Sequence, residues 1–141
     1  MTEHLQQLTE ADEALIEFAR RIVDSNSDGV VHTVGAAVRD REGHMYGGIN
    51  MYHFTGGPCA ELVALAAARA EGARDLEAIV AVGDRGRGVI GPCGRDRQIL
   101  LDYHPDISVL VPTADGVRSV DVATLLPLPT TWAPDSDSDS S

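Results

Sequence analysis

The sequence predicts an α/β fold, on three observations. Helical and β-prone runs alternate along the chain instead of segregating into blocks. Two separate helical segments open on Pro-Cys, and each leads toward an apolar, β-branched run, "EAIVAVG" and "ISVLV". The composition, 43% hydrophobic and 23% charged over 141 residues, supports one compact domain with a sizeable core, which we place over residues 1–132.

The first element is an amphipathic helix. Thr9 stands at its N-cap, Asp12 follows three residues on, and Leu15, Ile16, Ala19, Ile22 and Val23 recur at helical spacing until "DSNSDG" ends it. Next come "VVHTVGAAV" and "GHMYGGIN", two β-prone runs about the charged, Gly-containing turn "RDREG", which read as a hairpin. The loop "MYHFTGG" leads into Pro58. From Pro58 to Ala73, "PCAELVALAAARAEGA" carries Pro in the first turn, an Ala/Leu-rich body and a Gly near its end, the start, body and stop signals of a buried helix. "EAIVAVG" reads as an interior strand and "DRGRGVIG" as a loop. "PCGRDRQILLDYH" is the second Pro-Cys helix, followed by the strand "ISVLV", a short strand near "VRSV" and a final helical turn at "VATLL". The order is αββαβαβ with a small C-terminal addition, helices covering a mixed sheet. After Trp132, residues 133–141 run "APDSDSDSS", an acidic low-complexity tail that can bury nothing and is expected to be disordered.

Eleven basic against twenty-two acidic residues give a formal charge of −11. Such a surface repels polyphosphate chains and anionic membranes, and no basic stripe offsets it, so a small molecule is the expected ligand rather than nucleic acid. "MTEHLQQLTEADEALIEF" has no basic region followed by an apolar run and nothing long enough to span a bilayer, so a cytoplasmic protein is expected. In that compartment Cys59 and Cys93 read as thiols or metal ligands rather than a disulfide. From spacing alone they read equally as two small buried hydrophobes.

Both cysteines fall in the first turn of a helix, where the dipole and unpaired backbone N–H groups favour thiolate. Helices lying side by side would make those N-termini a metal corner. Glu61, two residues after Cys59, can handle protons for a metal-activated water, or it complements the dipole of its own helix. The combination of Cys-x-Glu opening one helix and Pro-Cys followed by a ligand-capable side chain opening another is the pattern of zinc nucleoside and nucleobase deaminases.

The stretches "GGINMYHFTGGPCAELVALAAA", "IVAVG", "RGVIGPCGRDRQILLDYHP" and "LLP" resemble the small tetrameric cytidine deaminase family, and "YHFTGGPCAELV" is close to its blasticidin type. The resemblance runs from about His32 to Trp132. It implies the cytidine deaminase-like three-layer fold with a five-stranded mixed sheet flanked by helices, a homotetramer with active sites near subunit interfaces, a zinc cofactor, and hydrolytic deamination of a cytosine ring. Carried over by position, Cys59 and Cys93 match metal ligands and Glu61 the catalytic acid/base. Asn50 matches the asparagine that recognises the sugar, Arg87 an arginine near the thiolates, and Trp132 a C-terminal aromatic near the pocket. The backbone at Ala60 would read the pyrimidine edge. Plainer readings stand beside these: a turn residue for Asn50, a solvated loop charge for Arg87 and a packing anchor for Trp132. The chain departs from the family at three places. Tyr52 stands where cytidine deaminases have an acid, as in the blasticidin type; Thr130 stands where the blasticidin enzyme has a tyrosine; and Asp96 replaces the third cysteine ligand.

An aspartate is a legitimate zinc ligand, at about 2.0–2.2 Å against about 2.3 Å for sulfur. It keeps the formal charge that a thiolate would bring. As a harder and weaker donor it should hold zinc less tightly, leave it more acidic toward bound water, and admit harder divalent ions. His104 lies about 12 Å further along the helix, out of reach, and His53 in the preceding loop is a weak replacement. Asp96 is otherwise a helix-start acid paired with Arg95 or Arg97 in a protein without metal. The sequence thus predicts a zinc-dependent deaminase of a cytosine-type aminopyrimidine nucleoside or nucleoside antibiotic with a Cys59, Cys93, Asp96 site. The alternatives are a metal-free binding protein on the same scaffold, and an enzyme of altered hydrolytic chemistry.

Overall fold

The first helix, α1 (Glu10–Asn26), starts where the local chemistry directs it. The Thr9 hydroxyl accepts from the Asp12 amide and the Asp12 carboxylate accepts from the Thr9 amide, both at 3.1 Å, closing a capping box. In this computed structural model, which describes residues 4–134, Leu15, Ala19 and Val23 of α1 are fully buried. The helix runs through Asn26, taking in the first residues of "DSNSDG". Most of the acidic tail lies outside the described residues.

The hairpin pairs β1 (Val34–Asp40) with β2 (Met45–Ile49). Val30–Thr33, expected to belong to the first strand, stay outside it. The Asp28 carboxylate accepts from the amides of Val30, Val31 and His32 at 2.9, 2.8 and 2.9 Å, so these donors are turned onto a side chain instead of a neighbouring strand. Those bonds, the one from His32 foremost, hold the Asp28 carboxyl down to about 2.

The remaining elements are α2 (Ala60–Ala70), β3 (Leu76–Gly83), β4 (Gly88–Ile90), α3 (Gly94–Tyr103), β5 (Ser108–Thr113), β6 (Gly116–Asp121) and a 3-10 turn, Val122–Leu125. The sheet order is β2-β1-β3-β5-β6, with β3 and β5 parallel and the other pairs antiparallel. The sheet has six strands, not the five expected. The extra one is β4, which folds back on β3 from within the segment read as a loop. Arg85 and Gly86 both take positive φ, 55° and 73°, and the Arg87 amide donates to the Asp84 carbonyl at 3.1 Å. That is the primed two-residue turn whose twist suits a hairpin, and it is usually written Asn-Gly or Asp-Gly rather than Arg-Gly.

The sheet is apolar on both faces, and strand alternation sorts the side chains. Ala37, Ala78, Val80, Val82 and Leu110 pack with Leu15, Ala19 and Val23 of α1. Ala36, Val38, Ile79, Ala81 and Val109 face the layer formed by α2 and α3. Both α2 and α3 therefore lie on one face, which brings their N-termini to the same end of the sheet. Ala60, Ala64 and Ala68, four apart, form the buried stripe by which α2 sits close to the sheet. The approach is so tight that a Cβ on Gly48 would stand 2.6 Å from the Ala64 amide nitrogen. No described helix is long and apolar enough to cross a membrane.

Candidate metal centre

Each cysteine sits one residue before its helix rather than inside the first turn: Cys59 is the N-cap of α2 and Cys93 the N-cap of α3. Both have extended backbone, with φ of −69° and −73°, and neither side chain caps its helix. The two sulfurs are 3.9 Å apart. Asp96, in the first turn of α3, is 1% exposed, and a carboxylate oxygen of it and both sulfurs all lie within 4.8 Å of one another. Asp96 Oδ1 is buried with no hydrogen-bond partner. Neither Arg95 nor Arg97 is ion-paired to it. Arg97 donates instead to the carbonyls of Pro92 and Leu125 at 2.8 and 3.1 Å, fastening the start of α3 to the 3-10 turn.

Glu61, in the first turn of α2, is 7% exposed and lines the same cavity of about 170 Å³ as the two cysteines, Asp96, Ala60 and Asn50. Burial pushes its carboxyl up to about 8, and the negative Asp96 beside it adds to the rise. The Cys59 thiol is pushed up to about 11, first by burial; a hydrogen bond from Arg95 opposes this, while Asp96 and Cys93 reinforce it. The expectation of a thiolate at the helix start is therefore reversed at Cys59. Desolvation and two acidic neighbours outweigh the dipole until a cation joins them. Two sulfurs, one half-buried and one exposed, beside the orphaned oxygen of a buried carboxylate are an arrangement that a soft-to-borderline divalent ion satisfies.

Other residues singled out by the sequence fall differently. Asn50 lines the cavity, but its Oδ1 accepts from the amides of Thr33 and Val34 at 2.7 and 3.0 Å and its Nδ2 reaches the Thr33 hydroxyl at 3.2 Å. One amide hydrogen is left over for a ligand. Arg87, which the resemblance put beside the thiolates, is bound elsewhere. Its guanidinium pairs with the buried Asp84 at 3.0 Å and donates to the Thr33 carbonyl at 2.8 Å. The cation that touches sulfur is Arg95, 3.5 Å from Cys59 Sγ and 3.4 Å from the Gly57 carbonyl. Sequence reasoning treated Arg95 only as a partner for Asp96, although its place between Cys93 and Asp96 was the available signal.

Trp132 packs at a tilt on Tyr103, ring centroids 6.2 Å apart, and does not line the cavity. Its amide donates to Asp102, and Gln98 reaches the Thr130 carbonyl, so the C-terminal segment lies along α3. Tyr52 and His53 are exposed in the loop before α2. His53 bonds Thr55 and stacks on Phe54, outside the group of potential metal donors. A larger groove of about 600 Å³ between α2 and α3 is lined by Leu62, Leu65, Arg69, Tyr103 and His104 among others, with no cysteine or carboxylate in its wall.

The chain is 30% identical over 130 residues to blasticidin-S deaminase of Bacillus cereus, a match covering 86% of this chain and 93% of that one. It is 38% identical over 98 residues to a cytidine deaminase of Halalkalibacterium halodurans, covering 67% and 74% of the two chains. Among solved structures, the cytidine deaminase of Burkholderia pseudomallei superposes with a TM-score of 0.69 at 30% identity, over 87% of this chain and all of that one. No family model matches the sequence.

Proposed function

This chain belongs to the cytidine deaminase-like family, and from that premise we propose that it is a zinc-dependent hydrolytic deaminase of a cytosine-type aminopyrimidine nucleoside or nucleoside antibiotic of the blasticidin S kind, with Cys59, Cys93 and Asp96 as metal ligands. The observation that carries the reading is Asp96 itself: fully buried, its Oδ1 unpartnered, grouped with two sulfurs at converging helix starts. A buried carboxylate oxygen with no partner costs about 1–3 kcal/mol, and a bound cation removes that cost. The donor set therefore fits zinc. Its formal charge equals that of three thiolates, and a carboxylate binds zinc at an ordinary distance.

Zinc held there would supply a Lewis acid that makes a water nucleophilic near neutral pH. The protein's own part centres on Glu61. Buried in the cavity wall beside the cysteines and Asp96, its carboxylate can take a proton from the attacking water and deliver it to the ring nitrogen. A second proton moved the same way lets the exocyclic amine leave as ammonia. Ala60, 1% exposed and the first residue of α2, presents backbone to the cavity where the pyrimidine edge would lie. The volume of about 170 Å³ is below the range of about 300–1,000 Å³ for small-molecule pockets, so it suits a ring, with the sugar side extending past Asn50 toward Tyr52. A homotetramer, which the family resemblance implies, would complete those open walls. The whole is read as one domain over residues 1–132 working in the cytoplasm.

The test combines zinc content with turnover of a panel of cytosine nucleosides and blasticidin S, followed by loss of the aminopyrimidine absorbance. Near-stoichiometric zinc with turnover is expected, and Glu61→Gln should cut turnover by at least about a hundredfold while retaining zinc and ligand. Unchanged turnover in that variant would remove Glu61 from the chemistry. Saturable binding without metal or turnover would make the chain a binding protein on this scaffold.

A further inference from the structure

The two cysteines carry a property that a three-thiolate site would not share. Cys59 and Cys93 are the only cysteines of the chain, both are free, and their sulfurs are 3.9 Å apart. A disulfide needs about 2.05 Å, so the sulfurs must close by roughly 2 Å. The movement is available because each sulfur hangs from an N-cap residue with extended backbone and no capping bond of its own. No side-chain cap is lost when the sulfurs meet. The third member of the group is a carboxylate, which cannot be oxidised, so only one pairing exists. As a weaker donor than thiolate, it also lets the site lose its metal more easily, which leaves the two sulfurs unbound.

We propose that Cys59 and Cys93 are a modification site: when no metal holds them, a two-electron oxidant of the peroxide class joins them in a reversible intramolecular disulfide, which removes two of the three metal donors. Its effect on the site rests on the zinc reading above, whereas its chemistry rests on the sulfur geometry alone. Cys93 is the more exposed of the two and meets peroxide first. Its sulfur takes one oxygen, the O–O bond breaks, and one water leaves. The Cys59 sulfur then attacks the sulfenic sulfur and displaces the second water. Two thiols have lost two hydrogens and two electrons, and one peroxide has become two waters. The Arg95 guanidinium, 3.5 Å from Cys59 Sγ, favours the negative charge that this sulfur carries as it attacks.

The experiment uses the full chain, stripped with a chelator or loaded with zinc, exposed to hydrogen peroxide and read by intact mass and thiol titration. The stripped protein should lose two hydrogens and both thiols as a monomer, and dithiothreitol should restore them. Zinc-loaded protein should keep both thiols over the same exposure. Cys59→Ser should stop at Cys93 with a gain of oxygen. Oxygen added to the stripped wild type, or a disulfide-linked dimer, would overturn the proposal. A monomeric disulfide that forms equally with and without added zinc would uphold the sulfur pair and overturn the metal reading instead.

Discussion

Replacing Glu61 by Gln in metal-stripped protein should change how stability depends on pH. Glu61 titrates near 4.5 when unfolded and at about 8 in the folded chain, raised chiefly by burial and then by Asp96. Between those values the native state holds a proton that the unfolded chain has released, so stability falls as pH rises. The contribution is fully present below pH 4.5 and gone above about 8. At about 1.4 kcal/mol per pH unit, the full effect is on the order of 5 kcal/mol, or about tenfold in the unfolding constant for each unit. Glutamine keeps the shape without the titration. Urea denaturation followed by circular dichroism from pH 5 to 8.5 should show wild type losing ground to Glu61→Gln by about 1 kcal/mol per unit through the middle of that range. Parallel curves would mean that Glu61 is already ionised in the folded protein, and its role as a proton carrier poised near neutrality would fall.

Three further outcomes follow from the geometry. Arg95→Ala should weaken zinc about 10–100-fold in competition with a chelator while barely moving Tm, whereas Arg87→Ala should lower Tm and leave zinc affinity alone, because its partners are Asp84 and Thr33. Asp96→Cys should raise zinc affinity by at least about tenfold, and Asp96→Ala should abolish stoichiometric binding, both read by the same competition. Gly48→Ala should push α2 off the sheet, since the added Cβ would meet the Ala64 amide at 2.6 Å; a loss of about 1–3 kcal/mol, or about 3–10 °C in Tm, is expected by thermal denaturation.

Local signals were legible wherever a few neighbouring residues settle the conformation. The Thr9–Asp12 box, the periodic Leu15, Ala19 and Val23, and the Gly-containing hairpin turn appear where their pattern puts them. Local signals also misled where an unusual residue did the work. Arg85 adopts a left-handed conformation that Asn or Asp would have advertised, which hid β4. Asp28 drew the Val30–His32 amides away from a strand of high β propensity. At the site, position in a motif named Cys59, Glu61, Cys93 and Asp96, but assigned to Arg87 a contact that Arg95 makes.

The sequence by itself determined the alternation of helices and strands, the Pro-Cys starts of α2 and α3, and the resemblance that led to a deaminase, because periodicity, caps and motif spacing are properties of short stretches. Only the tertiary structure decided that the two starts face each other across 3.9 Å, that Asp96 is buried with an unpartnered oxygen, and that Glu61 is lifted to about 8. Each of these depends on how residues more than thirty positions apart are brought onto one face of the sheet, where Glu61 and Asp96 are shielded from water. Distance and desolvation are set by that packing, and no local pattern encodes them.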